Sequence, residues 1–102
     1  MRIRSQLLNK LIGVAGAGLI VVRVHARHAR AVDLTGDITD WAPVALERVN
    51  GGWWAVMLRA SAGVHRVQLR VDGSPWTAPP GLPRVTDPDG GPAGVLLVGE
   101  DE

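Results

Sequence analysis

The stretch from residue 64 to residue 76 constrains the fold more than any other part of the chain. Apolar and polar side chains alternate along it with a period of two, in the order Arg66, Val67, Gln68, Leu69, Arg70, Val71. Such alternation gives a strand one apolar and one polar face. The pair Asp72-Gly73 then predicts a turn, because Gly accepts a positive φ without steric cost. The stretch therefore predicts a half-buried strand that ends in a tight turn.

Two tryptophans each follow a predicted strand and a polar turn. Trp76 comes just after the turn at residues 72–73, and Trp41 follows the strand at 31–35 and the turn at 36–40. Each turn thus presents a large aromatic ring beside polar groups, and this repeated arrangement is the main functional signal in the sequence. The alternative is that each ring belongs to the core, since Trp is often substantially buried. The polar turns before both residues favour the surface.

The rest of the pattern also consists of short strands. A chain of 102 residues forms one domain. Runs rich in β-branched residues, separated by turn signals at intervals of about 8–12 residues, are typical of a β-sandwich. The predicted strands are residues 20–24, 31–35, 44–49, 53–59, 64–71 and 95–98, and the proline-rich stretch 77–94 is predicted to be a loop. The predicted core contains Trp54, Val56, Leu58, Val67, Leu69 and Val71.

The chain divides into a leader at residues 1–19, the sandwich at 20–99 and an acidic tail at 100–102. The apolar run in the leader is shorter than the roughly 20 residues that span a bilayer. One interpretation is a short helix or a frayed segment, with a single apolar stripe formed by Leu7, Leu8, Leu11, Ile12 and Ala15.

A secretory signal at residues 1–26 is the other interpretation of the leader. Its basic start and apolar run fit a signal, but cleavage near Val24-His25-Ala26 would remove the first predicted strand. A signal would export the protein; otherwise we expect it in the cytoplasm.

The composition and motifs disfavour several classes of function. A net charge of +1 gives no general attraction to nucleic acid or membranes, and without Cys there is no thiolate metal site. His25 and His28 have no third metal ligand nearby, and the basic run 23–30 fits an exposed edge that discourages strand pairing. Asp87 and Asp89 lack the closing Glu of a calcium loop. No nucleophile elbow is present, and the chain is too small to add a substrate cleft, so we expect no enzyme, metal or cofactor.

The order of the motifs resembles that of a known family. The motifs that carry the resemblance are, in order, GDITDW, a GWW strand, AGVHRVQLRVDGSPW, a proline-rich loop and VLLV. The chain resembles carbohydrate-binding module family 48, the glycogen-binding domains of the AMP-activated protein kinase β subunit and of glycogen branching enzymes. RVDGSPWTAPPGLPRVTD is similar to stand-alone bacterial early-set versions. The resemblance implies an all-β, immunoglobulin-like (early-set) antiparallel β-sandwich after a short helical or disordered leader. It also implies noncatalytic binding of α-1,4-glucans such as glycogen or starch.

The resemblance also assigns site residues. Trp41 and Trp76 fall where the family has two sugar-stacking tryptophans, Trp76 one residue further past the turn than in the kinase version. Trp54 falls at the position where the family has an aromatic residue in its core. Gln68 replaces a sugar-contacting Lys, and keeps hydrogen-bonding capacity without the charge. Near the C-terminal end, Ala93 stands where the kinase version has an Asn that bonds sugar hydroxyls, so that contact is absent. The predicted carbohydrate site is therefore Trp41, Gln68 and Trp76.

Two classes of function remain open at this point. The first is a noncatalytic module whose partner is an α-glucan, either glycogen or a maltooligosaccharide. The second is a structural or protein-interaction sandwich that has lost the sugar site, favoured by Gln68 and Ala93. Its partner would be another protein or another domain of a parent protein. Neither class involves a cofactor, nucleic acid or a membrane.

Overall fold

The computed structural model describes residues 13–16, 18–88 and 91–99. These residues form nine strands: β1 (Gly13–Gly16), β2 (Leu19–His25), β3 (Val32–Gly36), β4 (Val44–Ala45), β5 (Glu47–Arg48), β6 (Trp53–Arg59), β7 (Gly63–Val71), β8 (Arg84–Thr86) and β9 (Pro92–Val98). Within the described ranges the only helical segments are two short 3-10 turns, Asp37–Thr39 and Asn50–Gly52. The all-β fold predicted from the sequence is confirmed.

The strands form two antiparallel sheets. The four-stranded sheet has the order β1-β2-β6-β5, and the five-stranded sheet has the order β4-β3-β7-β9-β8. In the first, β2 and β6 pair along their whole length, from Leu19 opposite Arg59 to His25 opposite Trp53. In the second, β7 is the central strand and pairs with β3 on one side and with β9 on the other. The strand on which the sequence analysis depends most is thus at the centre of its sheet.

The core lies between the sheets and is made by the inward side chains of both. Its buried members include Ile20, Val22, Val24 and Trp54 from the four-stranded sheet, and Val32, Leu34, Val67, Leu69, Leu96 and Val98 from the five-stranded sheet. Burying each large aliphatic side chain stabilises the fold by about 1.5–3 kcal/mol. The predicted core is confirmed: Trp54, Val67 and Leu69 are buried, and the partly buried Val56, Leu58 and Val71 pack against them.

The Asp-Gly turn after β7 forms as predicted. Asp72 has φ 54° and Gly73 has φ 74°, the pair of positive values that a type I′ turn requires. The N–H of Ser74 closes the turn on the carbonyl of Val71 at 3.0 Å. The Asp72 carboxylate accepts the backbone N–H groups of Arg30 at 2.7 Å and Ala31 at 2.9 Å. These bonds lower the pKa of Asp72 below its ordinary value of 3.8 and tie the turn to the start of β3.

Two predicted segments differ from the structure. Residues 44–49 are not one strand, because the chain crosses between the sheets at the buried Leu46: β4 pairs with β3, whereas β5 pairs with β6. The prediction of a loop at 77–94 is wrong in part, since it contains β8 and the first residues of β9. Neither β8 nor the start of β9 was predicted, because the prolines in this stretch are typical of a loop. Pro is tolerated at the first residue of a strand, where Pro92 lies.

At the N-terminus, β1 lies within the stretch interpreted as leader and pairs antiparallel with β2. Residues 1–12, which contain most of the proposed helical stripe, lie outside the described residues, and so does the acidic tail at 100–102. Ala15, the last residue of that stripe, lies in strand β1 and not in a helix. For residues 1–12 the helix and signal interpretations stay predictions. In the part of the chain that the structure describes, no helix is long and apolar enough to cross a membrane.

Candidate functional site

The outward side of β7 carries the predicted polar residues. Arg66, Gln68 and Arg70 point away from the core, because side chains alternate across a strand and Val67 and Leu69 point into it. Successive outward residues are about 7 Å apart along a strand. We call these three residues, with the outward Asp33 of β3, the polar face. Arg70 pairs across the strands with Asp33, at 3.2 Å from guanidinium to carboxylate.

Trp41 reaches this side of the sheet from the 3-10 turn that follows β3. The backbone N–H of Trp41 donates to the carbonyl of Gly36 at 2.8 Å, and the Thr39 hydroxyl donates to the same carbonyl at 3.0 Å. These bonds hold Asp40 at φ 54° and Trp41 at φ 61°. The left-handed conformation costs an ordinary residue about 1–2 kcal/mol and is rare for a bulky one. Trp41 is nevertheless an exposed residue, with 45% of its surface accessible.

The same turn is fastened to β7 through Asp37. One carboxylate oxygen lies 2.7 Å from Nδ1 of His65, and the other accepts the backbone N–H of Arg66 at 3.0 Å. Gly36, at the start of the turn, lies so close to β7 that a Cβ there would overlap the carbonyl oxygen of Arg66 and approach Val67 Cγ1 to 2.9 Å. Only glycine permits this approach, which explains the first residue of the GDITDW motif.

Trp41 and Gln68 line the same open groove of about 440 Å³, together with Arg66, Asp87 and Pro88. Arg66 pairs with Asp87 at 3.4 Å across the groove, and Asp87 is almost fully buried. Nε2 of Gln68 donates to the carbonyl of Pro92 at 2.7 Å, which fixes the orientation of the amide. No described residue donates to Oε1 of Gln68, so this oxygen can accept a bond from a ligand.

Trp76 stands at the other end of the polar face and does not line the groove. Its ring lies under the guanidinium of Arg70, whose Cζ is 4.2 Å from the ring centroid, the geometry of a cation–π contact. The residue after it, Thr77, exchanges two backbone hydrogen bonds with Leu69, at 2.8 and 2.9 Å. These bonds hold the segment beside β7 and leave Trp76 half-buried.

The structure thus brings Trp41 and Gln68 into one groove and places Trp76 by Arg70, two residues along the strand from Gln68. Sequence reasoning missed Arg66 and Asp87 as groove residues. Arg66 shares the alternation of Gln68 and could have been found from it, whereas Asp87 lies in the proline-rich stretch and has no pattern of its own. Ala93, next to Pro92, is fully buried and has no polar side-chain atom to offer.

The other two tryptophans lie elsewhere. Trp54 is in the core, and its Nε1–H donates to the carbonyl of Ala26 at 3.0 Å. Trp53 lies on the four-stranded sheet against the His25 ring, with 4.7 Å between ring centroids. Among the described residues no group of three potential ligands could hold a metal ion.

The class of protein follows from comparison with known families: residues 12–88 match the model of carbohydrate-binding module 48 (isoamylase N-terminal domain). Because the match covers more than half of the chain, the chain belongs to this family of noncatalytic carbohydrate-binding modules, and the resemblance in the sequence is confirmed. No curated protein matches the chain.

Proposed function

We propose that the chain is a noncatalytic module that binds α-1,4-glucans such as glycogen or starch on the polar face. In this proposal Trp41 and Trp76 stack on glucose rings, and Gln68 bonds the hydroxyls between them. The observation that carries it is the exposed Trp41 ring, which is held beside Gln68 in the same groove.

The backbone at Trp41 supports a role in binding. A bulky side chain in the left-handed region persists only where its surroundings impose that conformation, and such residues cluster at functional sites. Here the bonds to the Gly36 carbonyl and the Asp37 contacts with β7 impose it. Because the ring is exposed, its burial offsets little of the cost of this backbone conformation. Contact with a ligand would supply that burial.

The polar groups of the groove match the second requirement of a sugar site. A pyranose ring needs an apolar surface for its C–H groups and hydrogen-bonding partners for its hydroxyls. Trp41 provides the first. Oε1 of Gln68 and the Arg66–Asp87 pair, which contains both donors and acceptors, provide the second.

The competing function is a protein-interaction sandwich of the same family without sugar binding. Ala93 is the observation that favours it, because a buried methyl group stands where an amide is expected from the resemblance. The two functions differ in one measurable property, which is affinity for polysaccharide in the absence of any other protein.

Affinity electrophoresis in gels that contain glycogen, amylose or, as a β-linked control, soluble cellulose derivatives tests the proposal. We expect glycogen and amylose to retard the wild-type chain, and the double variant Trp41→Ala/Trp76→Ala to migrate as in an empty gel. Trp53→Ala is the matched control, since it removes a tryptophan from the opposite sheet and should keep the retardation. If no α-glucan retards the wild type, the glucan proposal fails and the interaction function takes its place.

A further inference from the structure

Both ring nitrogens of His65 bond to acceptors. Nδ1 lies 2.7 Å from Oδ1 of Asp37, and Nε2 lies 2.7 Å from the carbonyl oxygen of Ser61. An ionised carboxylate and a carbonyl have no proton to give, so each of these bonds needs an N–H from the ring. A neutral imidazole has one N–H and its charged form has two. Only protonated His65 can therefore make both bonds.

Among the described residues, the His65 ring contacts one charged partner. Asp37 faces it from the 3-10 turn, the loop between β6 and β7 contributes the Ser61 carbonyl, and β9 contributes the apolar Leu96 opposite His65. The nearest cations along the chain are turned elsewhere: Arg66 pairs with Asp87, and the Arg59 guanidinium lies beside Gly18. The His65 side chain is only 13% exposed, so water substitutes poorly for a lost bond.

The bond between His65 and Asp37 bears on Trp41. Asp37 begins the turn that leads into Trp41, and besides His65 its carboxylate bonds only the Arg66 N–H among the described residues. A neutral His65 has one N–H, so it either loses the bond to Asp37 or keeps that bond without the attraction between opposite charges and loses the bond to Ser61. In both cases the contact between the turn and β7 is weaker, although the left-handed backbone of Trp41 still has to be held in place.

We propose that His65 is a positioning residue: its protonated ring holds the Asp37 turn, and through it Trp41, in the geometry that binds sugar. Histidine is the side chain that ordinarily changes charge between about pH 5 and 8. Glucan affinity therefore depends on the charged form of the ring, which alone makes both bonds. This inference rests on the proposed function for its ligand, but the link between His65 and Trp41 does not require a ligand.

The first experiment measures amylose affinity between about pH 5.5 and 8.5. We expect the affinity of the wild type to fall roughly threefold to tenfold across this range, the effect of about one hydrogen bond. His65→Gln should show a flat profile at the weaker level, and so should Asp37→Asn, which removes the charge that His65 meets. His28→Gln is the matched control; His28 is exposed in the loop before β3, and this variant should keep the wild-type profile. A flat wild-type profile, or an unchanged slope in both His65→Gln and Asp37→Asn, overturns the inference.

The second experiment needs no glucan and separates the two proposals. Nitrogen-15 NMR of the wild-type chain follows the His65 ring and the Trp41 indole N–H during the same pH titration. We expect two protonated ring nitrogens at the acidic end, and a Trp41 signal that shifts in step with His65. If no glucan binds at any pH but the two signals move together, the proposed function fails and the coupling stands. If the Trp41 signal does not follow His65, the inference fails even where glucan binds.

Discussion

The two ends of the polar face present their tryptophans in different ways. Trp41 has a left-handed backbone and is 45% exposed, and in the described part of the chain no aromatic or cationic group stacks on its ring. Trp76 is half-buried, and the Arg70 guanidinium already covers one face of its ring. A sugar can therefore stack on the Trp41 ring directly, whereas at Trp76 it must stack on the face that Arg70 leaves open or displace Arg70. The two rings of the proposed site are not equivalent.

The two ends are also fastened by different means. The Trp41 turn depends on the close approach of Gly36 to β7 and on the contacts of Asp37. The Trp76 segment depends on the type I′ turn at Asp72-Gly73 and on the backbone pair between Thr77 and Leu69. Each end can therefore be disturbed separately, which allows the comparison to be tested one end at a time.

The largest effect on binding is expected from Trp41→Ala. Losing the freely exposed ring should weaken glucan affinity by about 1–3 kcal/mol, or roughly tenfold to a hundredfold. Isothermal titration calorimetry with a maltooligosaccharide measures it, and the melting temperature should stay close to that of the wild type because the ring is exposed. Unchanged affinity would remove Trp41 from the site.

Gly36→Ala should weaken the Trp41 end through the fold. The added methyl group meets the Arg66 carbonyl, so β3 and the turn must shift away from β7. Overpacking of this kind costs about 1–3 kcal/mol of stability. Urea unfolding followed by circular dichroism measures the loss. The matched control is Gly73→Ala, where a Cβ has open space around it and the cost comes only from the positive φ. If both variants unfold at the same urea concentration as the wild type, the close approach is not needed.

Trp76→Ala should have a smaller effect on affinity than Trp41→Ala. Because Arg70 already occupies one face of the ring, we expect a loss of roughly threefold to tenfold, which is less than the loss expected at Trp41. The same calorimetric titration gives the ratio between the two variants. Equal losses would show that Arg70 moves aside and that the two rings act alike.

Gln68→Lys changes the residue that lies between Trp41 and Trp76 and should alter glucan affinity at both ends. A lysine restores a charge-assisted donor for sugar hydroxyls, but it stands between Arg66 and Arg70, whose charges oppose it. We expect binding to tighten by about twofold to fivefold, the scale of an exposed charged contact. Gln68→Leu is the matched control and should bind more weakly than the wild type. Weaker binding of the lysine variant would mean that repulsion outweighs the gained donor.

The smallest effect is expected at Asp72, a fully exposed carboxylate at the Trp76 end. Its pKa is lowered by the N–H groups of Arg30 and Ala31, so it stabilises the folded chain above the ordinary pKa of 3.8 and loses that contribution as the pH falls through its lower folded value. Asp72→Asn should therefore melt at a lower temperature than the wild type at neutral pH and at nearly the same temperature in strong acid. Thermal melts across this range measure it, and a constant difference at every pH would contradict the linkage.

The features that the sequence predicted are those set by neighbouring residues. The alternation of β7 and the Asp72-Gly73 turn need only local chemistry, because side chains alternate along any strand and positive φ favours Gly and Asp. The buried face of β7 follows from the same pattern. The sandwich could therefore be predicted in outline before any contact between strands was known.

The features that escaped prediction depend on residues far apart in the chain. Arg66 meets Asp87 across 21 positions, and His65 meets Asp37 across 28. Nothing local marks these pairs. The crossing at Leu46 escaped for a related reason, since a short apolar run reads the same whether its two ends join one sheet or two. The placement of Trp41, Gln68 and Trp76 as a sugar site stays a prediction that the experiments above address.

The alternation of β7 also limits how such a chain can diverge. The strand gives one set of residues to the core and the set between them to the polar face, so a substitution at 66, 68 or 70 alters the surface and leaves the core intact. Losing or gaining one residue would exchange the two sets and bury the arginines. We therefore expect descendants of this chain to vary freely in what their polar face recognises while the length of this strand stays constant.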